Sequence, residues 1–188
     1  NEVIARIASQ YAGLPVHPND HVNMSQSSND VIPTAIHLSA LLAVEHHLLP
    51  ALAYLSAVIS RRIADVGDIV KTGRTHLMDA MPLSLAQELS GWRAQLMQAA
   101  QRIDAGRAQL RQLAQGGTAV GTGVNADPQF ATRFCFYLSE SCGQSFTPAD
   151  NFFAALASQD VSVALSGQIK TLAVALLKIA NDLRWMNS

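Results

Sequence analysis

The sequence predicts an all-α protein built from three long helices with shorter helices at their ends. From Leu85 to Leu113 apolar residues recur at alternating steps of four and three, a coiled-coil-like pattern over four heptads. The same steps recur from Leu165 to Leu183. Apolar residues make up 49% of the chain and aromatic residues only 6%, a balance typical of long packed helices. No segment with the two-residue period of a strand competes with this pattern.

The N-terminal third is predicted to contain two helices separated by a polar loop. A short helix covers residues 2–12, and residues 16–28 form an ordered loop because their Asn, Asp and Ser side chains bond to the local backbone. The first long helix begins near Asn29 or Asp30. Pro50 falls inside it and should kink rather than end it, because the apolar pattern resumes in phase.

The second long helix is expected to follow a connection formed by residues 68–78. Asp79 can cap this helix and Pro82 can occupy an early helical position. Residues 116–127, rich in Gly and Thr, stop it, and a shorter helix begins after Pro128. This order predicts two helices separated by one glycine-rich turn.

Asp150 is predicted to cap the third long helix. Three long helices make an incomplete bundle, so we expect partner helices to come from other chains. On this interpretation residues 1–28 are the end of an N-terminal domain. Residues 29–188 are a central helix-bundle domain that is incomplete on its C-terminal side.

Charge and cysteine content exclude several classes of partner and compartment. The net charge is 13 minus 14, or −1, with no basic run, so neither nucleic acid nor an anionic membrane is expected as a partner. The sequence has no run of ~18 uninterrupted apolar residues, so we expect no membrane-spanning helix. Cys135 and Cys142 would lie ~10 Å apart along one helix, too far for a disulfide. Free thiols favour the cytoplasm or a mitochondrial matrix.

Polar residues that can carry chemistry lie in two places. His17 and His21 belong to the polar loop, and His76 follows Arg74 and Thr75 just before the second long helix. Arg74 can clamp an anion or form a structural ion pair. Histidines within the first long helix are expected on a surface or an interface, and no spacing indicates a metal site.

The glycine-rich segment 116–123 invites comparison with a phosphate-binding loop. No Lys-Ser/Thr pair follows it and no strand precedes it, so the P-loop pattern fails. We therefore interpret it as a helix C-cap followed by a tight turn, whose threonines could line a pocket for a small anion.

Three blocks of the sequence resemble class II fumarase, a member of the fumarase/aspartase superfamily. They are HPNDHVNMSQSSND at residues 17–30, GRTH at 73–76 and GTAVGTG at 117–123. Residues 179–185 look like a later helix motif of the same family. The resemblance implies a long antiparallel helix bundle, assembled as a homotetramer with active sites shared between subunits. It also implies reversible hydration of fumarate to L-malate without a metal or organic cofactor.

The resemblance assigns roles to the residues that match the family's motifs. The matched residues are Ser27, Ser28, Asn29 and Thr75 for dicarboxylate binding, His76 for holding the catalytic water, and His17, Asn19 and Asp20 for a second anion site. His76 and the Ser27-Ser28 pair favour fumarase over aspartase or another superfamily lyase. A non-catalytic helical oligomerisation module is the alternative from a different class.

The family's upstream Ser-Gly-Thr segment and its downstream Gly-Ser-Ser loop, which carries the base, have no match here, so the chain looks like a central part of a fumarase. We predict that the 188-residue chain alone has no, or negligible, hydratase activity. Loss of the ultraviolet absorbance of fumarate measures this directly. Robust turnover by the purified chain would contradict the prediction.

Overall fold

The computed structural model describes all 188 residues, and most of them are helical. The α-helices are α1 Glu2–Ala12, α2 Ser28–Ala43, α3 Leu49–Asp65, α4 Leu85–Leu110, α5 Phe130–Cys142, α6 Phe152–Ala157 and α7 Asp160–Met186. Two π-helical turns cover Pro18–Val22 and Val44–Leu48. The strands are β1 Val70–Thr75, β2 Met78–Ser84, β3 Gln112–Leu113 and β4 Thr147–Pro148. The prediction of a helical-bundle fold class is confirmed, with short strands added to it.

The chain divides into two compact units. The first unit comprises Asn1–Ala40 and Ala108–Ser162, and the second comprises Leu41–Arg107 and Val163–Ser188. These units reflect packing within this chain alone. A domain boundary after residue 28 therefore stays a prediction.

Helical structure runs continuously from Ser28 to Asp65, so the prediction that Pro50 does not end the helix is confirmed. Pro50 has no backbone N–H, and its ring crowds the carbonyl four residues earlier. The chain responds with the wider π turn Val44–Leu48, closed by the Leu49 N–H donating to the carbonyl of Val44. The helix begins at Ser28, slightly before the predicted start.

The segment before α4 differs from the prediction. Strands β1 and β2 form an antiparallel hairpin where a connection and the first turn of a helix were expected. Asp79 therefore does not cap a helix. The cap is Ser84, whose Oγ accepts from the Gln87 N–H at 3.1 Å while Gln87 Oε1 accepts from the Ser84 N–H at 2.8 Å. This reciprocal capping box starts α4 at Leu85.

The ends of the other long helices also differ from the prediction. Helix α4 ends at Leu110, before the glycines that were expected to stop it, because β3 pairs in parallel with β4. The third long helix is divided into α6 and α7. Its first cap is Asn151 rather than Asp150, since Asn151 Oδ1 accepts from the Ala154 N–H at 3.0 Å.

The predicted apolar stripe of α4 is the core of the second unit. The members of the stripe that are buried and belong to this unit are Leu89, Trp92, Leu96, Ala99 and Ile103. Asp182 on α7 accepts a 2.9 Å hydrogen bond from Trp92 Nε1 and also pairs with Lys178. The burial pattern therefore confirms the heptad interpretation of α4.

The stripe on α7 is buried at only half of its positions. Leu165, Leu172 and Ile179 are at most 8% exposed. The alternate members of the stripe are 36–52% exposed; they are Ile169, Leu176 and Leu183. One edge of the heptad seam is thus packed within the chain and the other edge is open.

Two stretches, Ser28–Asp65 and Asp160–Met186, are long and apolar enough to span a membrane by length and composition. The expectation of no such helix rested on uninterrupted apolar runs, and mean hydropathy over a helix is a less demanding criterion. Helices that pack in the cores of soluble proteins meet the same criterion. The absence of a membrane partner stays a prediction.

Both cysteines are free thiols, as predicted. Cys135 is buried on α5, and burial raises the pKa of its thiol to about 11. A thiol with this pKa is protonated at neutral pH and therefore a poor nucleophile.

Candidate active site

The Asp30 carboxylate is the centre of the polar structure in the first unit. Asp30 is the only charged residue that is completely buried in the chain. Its Oδ1 accepts from the Ser27 N–H at 2.9 Å, and its Oδ2 accepts from the N–H groups of Gly116 and Thr118 at 3.1 and 2.9 Å. Three backbone donors thus converge on one carboxylate.

The loop from Gly116 to Gly123 provides two of those donors. Its backbone repeatedly enters the left-handed region, with φ of 106° at Gly116 and 57° at Thr118. Such turns direct successive N–H groups into a concavity that binds an anion. The prediction that this loop is a helix C-cap is wrong, because α4 already ends at Leu110. The anion that it binds is Asp30.

Ser27, Ser28 and Asn29 lie at the start of α2, beside this loop. The Asn29 N–H donates to Ser27 Oγ at 3.2 Å, and Asn29 Nδ2 donates to the Ala119 carbonyl at 2.6 Å. Ser28 and Asn29 face an open surface cavity of about 750 Å³, lined also by Ala119 and residues of α6. The predicted dicarboxylate-binding segment is therefore held at the edge of a cavity.

His17 lies in the same unit and caps the π turn Pro18–Val22. Its Nδ1 accepts from the N–H groups of Asn19 and Asp20 at 3.3 and 3.2 Å, and its own N–H donates to His21 Nδ1 at 2.8 Å. His17 Nδ1 also lies 3.1 Å from Asp20 Oδ2, but an ion pair there would need a proton on Nδ1. Because two N–H groups point at the Nδ1 lone pair, we assign it as an acceptor. The predicted second anion site thus has its backbone donors already engaged.

Thr75 and His76 lie in the second unit, at the tip of the β1–β2 hairpin. His76 and Leu77 form a two-residue turn with φ of 52° and 61°, the positive values of a type I′ turn. Thr75 and His76 are exposed, and Leu77 is 100% exposed. The sequence placed His76 at the mouth of a helix, but α4 begins nine residues later at Leu85. No side chain within the chain bonds the His76 ring.

Gly73 shapes the hairpin below this tip. The pairing shifts register between Thr72 and Arg74, so the single residue Gly73 on β1 lies opposite two residues of β2, Ala80 and Met81, which form a bulge. A Cβ placed on Gly73 would lie 2.6 Å from the Met81 carbonyl oxygen. The close approach of the two backbones therefore requires glycine at this position, two residues before Thr75.

The sequence-predicted residues are therefore divided between the units. The first unit contains His17, Asn19, Asp20, Ser27, Ser28 and Asn29, and the second contains Thr75 and His76. Sequence reasoning missed Asp30. The available signal was the spacing Ser27-x-x-Asp30, a capping box in which an acidic side chain returns to the N-cap N–H.

A protein-family model described as "Lyase" matches residues 1–188, the whole chain. The chain belongs to this lyase family. Among curated relatives, this lyase chain is 57% identical to fumarate hydratase class II 2 of Pseudomonas aeruginosa and 56% identical to fumarate hydratase class II of Xylella fastidiosa. Both matches cover 100% of this chain, and 41% and 40% of those proteins.

Solved structures of the family have the same fold. A class II fumarase from Schistosoma mansoni matches 95% of this lyase chain with a TM-score of 0.91 and 39% identity. A fumarate lyase:delta crystallin from Brucella melitensis, bound to cobalt, matches all of it with a TM-score of 0.93 and 38% identity. The chain spans 41% and 42% of those two chains. This coverage agrees with the expectation that the sequence corresponds to part of a fumarase.

The hairpin geometry predicts opposite effects for the same change at two glycines of the second unit. Gly73→Ala should lower the free energy of unfolding by about 1–3 kcal/mol, because the new methyl group overlaps the Met81 carbonyl. Gly91→Ala in α4 meets nothing within 4 Å and should raise it by up to ~1 kcal/mol. Urea unfolding of both variants measures the difference. Equal effects would show that the bulge does not need glycine.

Proposed function

We propose that this lyase chain takes part in the reversible hydration of fumarate to L-malate. The observation that carries the proposal is its 57% identity, over all 188 residues, to a class II fumarate hydratase. The curated relatives named above are all fumarate hydratases, which favours this reaction over ammonia elimination by an aspartase. The activity belongs to the whole protein, of which this chain represents about two fifths by length in those relatives.

The reaction needs donors for two carboxylate groups, a positioned water molecule, and an acid and a base. We assign the first task to Ser27, Ser28 and Asn29. Ser28 and Asn29 are exposed at the cavity edge, where hydroxyl and amide groups can donate to a carboxylate. One Nδ2 hydrogen of Asn29 is committed to the Ala119 carbonyl, which leaves the second hydrogen for substrate.

We assign the water-handling role to His76 and a further substrate contact to Thr75. Both are presented at the exposed tip of a hairpin whose turn has positive φ at His76 and at Leu77. Non-glycine residues in this conformation carry strain that is common at functional sites. An exposed imidazole beside a threonine hydroxyl can hold a water molecule once neighbouring groups enclose it.

The second anion site at His17, Asn19 and Asp20 is also part of this proposal. The N–H groups of Asn19 and Asp20 already donate to His17 Nδ1. An anion at this site would therefore contact the His17 Nε2 edge or the Asn19 amide. We propose no metal or organic cofactor for the reaction, and the cytoplasm or a mitochondrial matrix as the compartment.

We propose that the protein assembles as a homotetramer, with helices of other subunits against the open edge of α7. Ile169, Leu176 and Leu183 supply an apolar edge in heptad register there. The mass of the 188-residue chain in solution, measured by sedimentation, should exceed that of the 20.1 kDa monomer. A monomer at all concentrations would contradict the role of this edge in assembly.

Binding of a dicarboxylate should raise the midpoint of thermal unfolding of the chain. We expect a shift with fumarate or L-malate and a smaller one with maleate. Maleate has the same charge as fumarate, but its carboxylates are cis rather than trans about the double bond. Asn29→Ala and His76→Ala should each reduce the shift, because they remove an amide and an imidazole from the proposed site.

Two exposed residues without side-chain hydrogen bonds provide matched controls. Asn181→Ala and His47→Ala delete the same chemical groups from α7 and from the π turn before α3. They should leave the ligand-induced shift unchanged. Identical shifts in all four variants would place binding elsewhere, and no shift in the unaltered chain would favour a non-catalytic scaffold.

A further inference from the structure

We propose that Asp30 is the positioning residue of the dicarboxylate site, acting as the built-in anion of the loop Gly116–Gly123. The inference rests on the proposed function, because the residues that it positions are Ser28 and Asn29. Asp30 itself is completely buried and does not contact substrate. Its role is to hold the start of α2 against the loop.

The first argument is the set of donors. Gly116 and Thr118 donate to Oδ2, and the third donor, the Ser27 N–H, is bound by Oδ1. No Lys or Arg pairs with Asp30, so backbone N–H groups stabilise its charge within the chain. A buried carboxylate is unfavourable without such donors, and the loop is unfavourable without an acceptor. Each segment therefore requires the other.

The second argument is the position of the bonds along the two segments. Asp30 bonds Thr118, and the preceding residue Asn29 bonds the following residue Ala119. Two consecutive residues on α2 are thus joined to two consecutive residues of the loop. Displacement of Asp30 would release the Asn29 amide and shift Ser28 at the cavity edge. Misplacement of a binding group by ~1 Å is enough to lose much of its contribution to a reaction.

The third argument is that only a carboxylate has an acceptor oxygen both for the Ser27 N–H and for the N–H groups of the loop. Asparagine has the same shape but only one acceptor oxygen, and its NH₂ group is a donor. In Asp30→Asn the NH₂ group would face either the Ser27 N–H or the N–H groups of the loop. Asp30→Ala would instead leave a buried space with three N–H donors around it. The two variants therefore fail in different ways that can be measured separately.

The first experiment measures hydrogen exchange at the amides of Ser27, Gly116 and Thr118. Asp30→Asn should accelerate exchange at Gly116 and Thr118, or at Ser27, by about tenfold to a hundredfold, the factor for one hydrogen bond to a charged group. Asn151→Ala is the matched control, because it removes a side-chain acceptor for a backbone N–H elsewhere in the same unit. Unchanged exchange at all three amides in Asp30→Asn would overturn the proposal.

The second experiment supplies the missing anion. Formate should raise the thermal midpoint of Asp30→Ala, because it fits the vacated space and accepts from the same donors. It should not raise the midpoint of the unaltered chain or of Asn151→Ala, and chloride at equal ionic strength should have no such effect. If Asp30→Ala does not fold, recovery of folded protein on refolding in formate is the readout. No effect of formate in either form would count against a built-in anion.

The third experiment separates this inference from the proposed function. Asp30→Asn should weaken fumarate binding by about tenfold or more. Asp127→Asn should bind like the unaltered chain, because Asp127 accepts from the Gln129 N–H at 2.7 Å in the same unit and does not line the cavity. Equal binding by Asp30→Asn and the unaltered chain would overturn the positioning role. If the unaltered chain itself does not bind fumarate, the proposed function fails. Exchange and formate rescue then decide whether Asp30 joins the two segments.

Discussion

The organisation of the first unit depends on one fully buried carboxylate. Asp30 is placed by the first turn of α2, and it determines where the loop at Gly116 and Thr118 can lie. The loop in turn requires glycine at Gly116, both for its φ of 106° and because a Cβ there would lie 2.5 Å from Ala131 Cβ. A charge, a left-handed backbone and a close helix contact therefore constrain one another. This combination explains why a polar, turn-rich sequence forms an ordered structure.

A different constraint organises the second unit. The stripe of α4 must be buried, and the alternating exposure on α7 shows that this chain covers only part of the apolar surface it presents. Polar groups between the helices refine the packing. Gly106 on α4 leaves room for the Gln168 side chain. A Cβ placed on Gly106 would lie only 3.0 Å from Gln168 Oε1. Apolar periodicity thus sets the register, and small or polar residues adjust it.

Sequence alone predicted the helices well and the polar structure poorly, for identifiable reasons. Heptad steps join residues only three or four positions apart, so the local spacing of apolar residues was enough to predict α4 and α7. The hairpin was missed because Asp79 and Pro82 fit a helix start as well as they fit a strand. The local spacing Ser27-x-x-Asp30 indicates only the bond to the Ser27 N–H. The partners of Asp30 in the loop lie 86 and 88 residues away, and no local pattern reveals those contacts. The motif resemblance identified the family, but it could not show that His76 is at a hairpin tip.

The two cysteines have a practical consequence for observing this chain. Both belong to the first unit, and the second unit has none. Cys135 is buried with its thiol pKa near 11, whereas Cys142 is partly exposed. Alkylation at neutral pH should therefore label Cys142 first and reach Cys135 only when the first unit opens. Pulsed labelling of Cys135 would report the opening of that unit alone, without a dye or an introduced probe.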